Sequence, residues 1–349
     1  MDLSKLPPHI RLYSDILDEG LQYIQDRRLG KIKSIKTPWD SLNNAGVGGL
    51  EWGSMLTIGA RPGEGKTMFV TQIIRESRLL NPTQDFNILE FQFEMGPKQT
   101  AARDFAAQTA LDYDIVLSTA KQLDQFSYNM MQQYVNDTRA LQKVGIIRTQ
   151  VNKPCTAKEI EKNIHFVYNY LESKPLIVTI DHSWLIKKDA GDREKINTLY
   201  NSVEMLMQVK KDLPIIVLMI SQLNRDIDDS SRKIAGDIVN YPTSSDIFGG
   251  DALMQGSDMV LVLRRPMKAN IQLYGPKQFV VSKEDVFGHV LKSRNGSEED
   301  NIVFMKGDMN KQRMYECPSP IAHNPTGSGF TPRIRGGQGR TQNNPDITI

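Results

Sequence analysis

Met55-Leu-Thr-Ile-Gly-Ala-Arg-Pro-Gly-Glu-Gly-Lys-Thr-Met-Phe-Val-Thr-Gln-Ile-Ile74 runs an apolar strand into a glycine-rich turn and out into an amphipathic helix. That order is the geometry of a cradle for a nucleoside triphosphate. Glycines let backbone N–H groups face phosphate oxygens, and the helix N-terminus adds the positive end of its dipole. Within Ala60, Arg61, Pro62, Gly63, Glu64, Gly65, Lys66 and Thr67, Lys66 supplies a mobile charge and Thr67 a hydroxyl for Mg2+. The strict pattern has a glycine where this chain has Ala60, so the match is to a relaxed form. A chance glycine loop is the alternative, and the flanking strand and helix weigh against it.

Composition sets wide bounds. The 349 residues, 39% hydrophobic and 24% charged, can bury the core of one large α/β domain with appendages. A formal net charge of only +2 excludes a global basic field, so contact with a polyanion must come from local loops. Cys155 and Cys317 lie far apart, without metal or redox spacing, and read as two ordinary thiols in a reducing compartment. No apolar run approaches a membrane span, and the N-terminus lacks the apolar stretch of a signal peptide. The expectation is a soluble, cytoplasmic chain with no membrane partner.

Along the chain, Leu12, Ile16, Leu17, Leu21, Ile24 and Leu29 recur at helical spacing and predict an amphipathic helix over 11–29. Its apolar stripe must be covered by its own domain or by a neighbouring copy, and periodicity does not choose between them. Residues 1–43 are expected to form this helix and a connector, 44–317 the main domain, and 318–349, rich in Pro, Gly, Asn and Thr, a flexible tail. Runs at 87–93, 176–180, 214–220 and 258–263 predict buried parallel strands. Thr156 and Glu159 make a capping box, with Ile160, Ile164, Val167 and Leu171 in helical phase behind it. Ile196, Leu199, Val203 and Leu206 predict the next helix, and the runs at 286–291 and 302–305 predict further strands, antiparallel and closing the sheet. The pattern is βαβ repeated.

Four further features carry chemistry. The strand ending at Asp181 presents a carboxylate where open parallel sheets hold their ligands, and Mg2+ is the natural partner of an acid there. Capping of the next helix is the alternative, and His182 beside it reads as structural. Glu94, at the end of the strand that follows the cradle in sequence, can orient an attacking water. Gln222 emerges from a buried strand, where its amide can respond to the terminal phosphate by exchanging hydrogen-bond partners. Lys292 and Arg294 alternate on a strand and so point to one side as a cationic fork. Such a fork stabilises transition-state charge if it faces a phosphate and is merely solvated if it does not.

Taken in order, these motifs resemble the ATPase domain of the DnaB-type replicative helicases, a RecA-like ring family. The resemblance runs from about Tyr13 to Met305. It is carried by Ala60 to Thr67, Phe93-Glu94-Met95, Arg103, Ile180-Asp181, Gln222 to Arg225 and Lys292 to Gly296. It implies a RecA-like P-loop NTPase with a mostly parallel twisted sheet flanked by helices, preceded by an amphipathic linker helix that packs on the adjacent subunit. For the site, it implies Lys66 and Thr67 on phosphate and metal, Asp181 on Mg2+, Glu94 as catalytic base and Gln222 as γ-phosphate sensor. Lys292 and Arg294 then act across the subunit interface. For activity, it implies a homo-oligomeric ring, six-membered in the family, that hydrolyses ATP to move 5′ to 3′ on single-stranded DNA. A primase or a loader is the partner class left open.

The family's channel loops correspond to residues 187–193 and to the stretch from Arg225 through Arg232 and Lys233 to Phe248, Gly249 and Gly250, which become the candidate DNA contacts. Where the family reads Asp-Leu-Arg-x-Ser-Gly, this chain has Asp246-Ile-Phe-Gly-Gly-Asp251. Phe248 therefore replaces an arginine, either to stack on a base or to pack on its own domain. The connection between Arg265 and Val286 exceeds the family minimum and has no assigned role. A RecA-type recombinase and a non-motor ATP-binding scaffold or loader are the competing readings. The Lys292–Arg294 pair and the linker helix weigh against the first, and the presence of both Glu94 and Asp181 weighs against the second.

Overall fold

Continuous apolar runs can be satisfied only by strands covered on both faces, and the computed structural model, which describes residues 7, 10–294, 296 and 302–323, buries them in that way. In chain order the elements are α1 (Tyr13–Arg28), α2 (Asp40–Ala45), β1 (Ser54–Ala60), α3 (Lys66–Leu80), β2 (Asn87–Gln92), α4 (Pro97–Thr109), α5 (Tyr113–Leu117), α6 (Gln125–Lys143) and β3 (Arg148–Val151). There follow α7 (Ala157–Tyr170), β4 (Leu176–Asp181), α8 (Lys195–Asp212), β5 (Ile215–Gln222), α9 (Gly250–Gly256), β6 (Met259–Arg264), β7 (Leu273–Tyr274), β8 (Phe279–Val280), β9 (Asp285–Ser293), β10 (Ile302–Asp308) and β11 (Arg313–Glu316).

The large sheet has the order β11-β10-β9-β6-β1-β5-β4-β2-β3. From β6 to β3 all neighbours are parallel, β9 and β10 extend the sheet antiparallel, as the later apolar runs predict, and β11 adds an antiparallel edge strand that they do not. Chain order reverses around β1: the crossovers through β2 to β5 lie on one side and β6 on the other. The carboxyl ends of β1 and its neighbours are therefore where a ligand crevice opens.

Two apolar layers sandwich the sheet. One packs Phe69 and Ile73 of α3, with Trp39 and Leu42, against Ile58, Leu218 and Leu261. Trp39 lies flat on Phe69 at 4.0 Å between ring centroids. The other packs Ile160 and Ile164 of α7, and Leu199, Val203 and Leu206 of α8, against Val178, Val217 and Val262. The Thr156–Glu159 capping box forms in both directions.

Helix α1 has no buried residue, and Tyr13, Ile16, Leu17, Leu21 and Ile24 stand exposed along it. Within this chain its last turn is fastened by Arg27, which ion-pairs with Glu51 at 2.5 Å. Among the described residues, its apolar stripe is thus not covered by its own domain.

Strand β3 and residues 321–323 are among the segments that differ from the sequence expectation. Edge strand β3 has no apolar alternation. It forms because buried Glu90 and Asp104 on neighbouring elements both pair with Arg148, at 2.5 and 2.7 Å, and burial of the trio outweighs the weak local signal. Residues 321–323, assigned by composition to the tail, instead dock along β8, with Val280 N–H donating to the Ile321 carbonyl (3.0 Å) and His323 N–H to that of Gln278 (2.9 Å). The rest of the expected tail, 324–349, lies outside the described residues, as does Asn295 of the Lys292–Gly296 motif.

Candidate functional site

The turn between β1 and α3 takes the shape its glycines permit. Gly63 and Gly65 have φ of +74° and +100°, left-handed values that disfavour a side chain, and α3 starts at Lys66. Ala60 is still the last residue of β1, fully buried and paired with Gln222 and Leu263, so no glycine is required there. The relaxed form of the motif is explained by this strand pairing.

Strand register brings the remaining candidates to the same edge. Ala60 aligns with Gln222, Gln92 aligns with Asp181, and Phe93 N–H donates to the Asp181 carbonyl at 2.8 Å, placing Glu94 just beyond. The Thr67 hydroxyl donates to Asp181 Oδ2 at 2.9 Å. Asp181 is fully buried, and its other oxygen, Oδ1, has no hydrogen-bond partner among the described residues. Burial pushes its carboxyl up to about 6, against the Thr67 hydrogen bond, with Glu94 adding to the rise and Lys66 and Arg103 opposing it. A buried carboxylate oxygen left open beside a threonine hydroxyl suits Mg2+, which takes one or two protein oxygens and completes its shell with phosphates and water. Lys66 is buried at the start of α3 and hydrogen-bonds to none of the described side chains.

His182, which sequence reasoning treats as structural, lies between the two groups proposed to act on water and phosphate. Its Nε2 is 3.3 Å from the Gln222 amide nitrogen and 3.8 Å from Glu94 Oε2. Burial lowers its pKa, partly offset by Glu94, so the ring favours its neutral form. Adjacency to Asp181 is the one signal of this in the sequence. The neutral ring can accept from the Gln222 amide through Nε2, with the half-exposed Glu94 carboxylate nearby at 3.8 Å but not hydrogen-bonded to it.

Several expected ligand side chains have other tasks. Glu64 is buried, accepts the Arg61 N–H at 2.9 Å and ion-pairs with the fully buried Arg264 at 3.0 Å. Its side chain is a brace behind the phosphate loop. Arg61 pairs with Asp228 at 2.7 Å and donates to the Leu223 carbonyl at 3.1 Å, away from the cradle. Of the cradle residues, these two contribute backbone rather than charge.

The candidate DNA-contacting loops show a similar division. Arg232 grips Asp246 with both terminal nitrogens, at 2.6 and 3.0 Å, and donates to the Val239 and Tyr241 carbonyls, each at 2.7 Å. It fastens its own loop, and four of its five N–H groups are taken within it. Gly249, at φ +67°, and Gly250 lie where a Cβ would strike Leu199 and the Ser244 carbonyl, so both are required by close packing at the start of α9. Phe248 meets Trp184 edge-on at 4.3 Å. Together with Arg61, Gln222 and Arg225 they line a cavity of about 310 Å³ joining the segment after β4 to the segment after β5. Trp184 carries no sequence signal. Lys233 is exposed beside a second cavity with Lys268 and Asp228.

Lys292 and Arg294 are not brought to the cradle. Because β9 runs antiparallel to β6, Lys292 pairs with Val260, and Arg294 N–H donates to the Asp258 carbonyl at the amino end of β6. Arg294 ion-pairs with Asp258 at 3.0 Å and stays half exposed, while Lys292 donates to the Met254 carbonyl. From the level of Ala60 down to that of Asp258 is about five residues, or roughly 17 Å along the strands. Lys66 and Arg294 of one chain therefore lie at opposite ends of the sheet.

Comparisons with known proteins agree with this fold. The family described as the DnaB-like helicase C terminal domain matches residues 34–313. The replicative DNA helicase DnaB of Buchnera aphidicola subsp. Schizaphis graminum is 24% identical over 303 residues, covering 84% of this chain and 61% of that protein. The chain spans about three fifths of the length of the curated relatives it matches. Among solved structures, one ATPase domain superposes with a TM-score of 0.70 at 17% identity, covering 86% of this chain and 99% of that one. A DnaB-like replicative helicase, described with its interactions with primase, superposes with a TM-score of 0.68 at 18% identity, covering 85% and 66%.

Proposed function

The chain belongs to the family of DnaB-like helicase C-terminal domains, and on that premise we propose that it is the ATP-driven motor of a replicative DNA helicase, a ring that moves 5′ to 3′ on single-stranded DNA. The observation that carries the reading is the split of the machinery. Lys66, Thr67, Glu94, Asp181 and Gln222 share one end of the sheet, and Lys292 and Arg294 share the other. In a head-to-tail ring, the amino-end cations of one copy face the cradle of the next, and closure at six subunits follows the family.

In that arrangement the Gly63 and Gly65 turn and Lys66 hold the triphosphate. Thr67 and Asp181 hold Mg2+, which would neutralise charge on the phosphate oxygens. Glu94 orients the attacking water, and Gln222 registers the γ-phosphate, with the His182 ring as the alternative partner of its amide. Arg294, released from Asp258 or sharing it, stabilises charge on the neighbour's phosphate, with Lys292 beside it. Because Phe248 N–H donates to the Gln222 carbonyl at 2.9 Å, movement at Gln222 is passed directly to the loop proposed to hold DNA. There Phe248 and Trp184 offer π faces and Arg225 and Lys233 offer charge, a combination that follows a strand without reading its sequence. The uncovered stripe of α1 supports its docking on the adjacent subunit. A primase or loader is a further partner of such a ring.

Strand displacement on forked DNA bearing either a 5′ or a 3′ tail, with ATP and Mg2+, tests the reading. Unwinding that requires the 5′ tail is expected. Strand pairing without unwinding would favour a recombinase, and nucleotide binding without turnover would favour a scaffold.

A further inference from the structure

The connection between β6 and β9, without a role in sequence, reaches back onto the phosphate loop. It begins at Arg264, fully buried against Glu64. Arg265 follows, donating from Nη1 to the Gly63 carbonyl at 3.4 Å and from Nη2 to the Lys283 carbonyl at 3.0 Å. A short 3-10 turn, Pro266–Ala269, then carries Lys268 so that its Nζ donates to the Pro62 carbonyl at 2.5 Å. A Cβ at Gly63 would fall on this ammonium, so the glycine is what allows the approach. Two consecutive carbonyls of the cradle turn thus each receive a cation from one element.

That element is held firmly. Ile271, Tyr274, Phe279, Val281 and Phe287 form a small core of their own. The Tyr274 hydroxyl is 2.8 Å from His289 Nε2, and Gly275 N–H donates to Asn240 Oδ1 at 2.8 Å. Lys268 is therefore an exposed side chain on a fixed base.

In a trans peptide the C=O and the next N–H point opposite ways. A cation that fixes the Pro62 carbonyl on the outside of the turn fixes the Gly63 N–H on the inside, where a phosphate oxygen would lie. A charged donor on the carbonyl also polarises the peptide and strengthens that N–H as a donor. We infer that Lys268, braced by Arg265, is a positioning residue for the triphosphate: it pins the Pro62 carbonyl and aims the Gly63 N–H into the cradle. The inference rests on the nucleotide-binding reading above and adds to it a residue on the connection that sequence leaves unassigned.

The test uses the full chain. Binding of a fluorescent ATP analogue, together with KM and kcat for ATP, is compared for the wild type, Lys268→Ala, Lys268→Arg and the Arg265→Ala/Lys268→Ala double variant. Lys268→Ala is expected to weaken binding and raise KM by about tenfold, the scale of one hydrogen bond from a charged donor, with kcat changed by less than about twofold. The double variant should bind more weakly still, Lys268→Arg should recover most of the affinity, and all should melt with the wild type. Wild-type affinity in Lys268→Ala overturns the inference, as does a loss confined to kcat or an arginine variant no better than alanine. A wild-type chain that binds no nucleotide overturns the functional reading along with it.

Discussion

The two ends of the central sheet differ in what they leave unfinished. At the carboxyl end, strand register alone assembles Thr67 on Asp181, Glu94 near His182 and Gln222 beside Ala60, and one chain holds a cradle with a carboxylate oxygen open for a cation. At the amino end, Lys292, Arg294 and Lys210 crowd around Asp258 and the carbonyls of α9, with Arg294 half in solvent and no phosphate site of their own within reach among the described residues. The first end is a site lacking one charge, and the second is a charge lacking a site. On the function proposed above, a molecule divided in this way would make its chemistry depend on contact between copies.

Removing the cradle's cation should do the most damage. Lys66→Ala is expected to cut phosphate release by about a thousandfold or more, because the group compensating charge on the β- and γ-phosphates is gone. Full turnover in that variant would remove the cradle from the mechanism.

The other end should match it in rate but not in binding. Arg294→Ala is expected to slow hydrolysis by about a thousandfold while nucleotide affinity stays within about threefold. Mixed with a Glu94→Gln variant, it should regain activity at the junctions where an intact cradle meets an intact Arg294. If no mixing ratio restores turnover, the division of labour between copies is wrong.

A more modest change is expected where the two loops meet. Trp184→Ala and Phe248→Ala should each weaken single-stranded DNA binding by about tenfold, the loss of one stacked base, and leave nucleotide affinity intact. Trp184 emission should also quench as DNA is added. Unchanged DNA affinity in both variants would make the pair simple packing.

Acid should reveal the subtlest contrast, because among the described residues the buried histidines, His182 and His289, both lie toward the carboxyl end. Burial, with Arg264 nearby, lowers His289 to about 3. In the unfolded chain it titrates near the usual ~6.5. Between these values the unfolded chain binds a proton that the folded chain refuses. The contribution is therefore complete above about pH 6.5 and is lost as pH falls toward 3. Melting followed from about pH 7 to about pH 4 should show a shallower decline for His289→Asn than for the wild type. Parallel curves would mean that this buried ring does not set the acid sensitivity of the connection carrying Lys268.

Much of this is legible because it is local. Buried parallel strands must be apolar throughout, so β1, β4, β5 and β6 are visible as runs, and a phosphate turn needs left-handed backbone, so Gly63 and Gly65 mark it. Strand β3 is hidden because its stability comes from Arg148 meeting Glu90 and Asp104, partners 58 and 44 residues away. The tasks of Arg61, Glu64 and Arg232 are illegible for the same reason. A cation or acid inside a motif advertises its charge, while its partner, Asp228, Arg264 or Asp246, is chosen by packing.

Chain chemistry alone therefore specifies the succession of strands and helices and the glycine turn, and it singles out Lys66, Thr67, Glu94, Asp181 and Gln222 as candidates, because backbone conformation and burial act on neighbouring residues. Folding in three dimensions adds that His182 sits against Gln222, that Trp184 meets Phe248, that Lys268 grips Pro62, and that Arg294 lies at the far end of the sheet from its own cradle. Those are distances between residues far apart along the chain, and they are set by strand order and register, which no local pattern encodes.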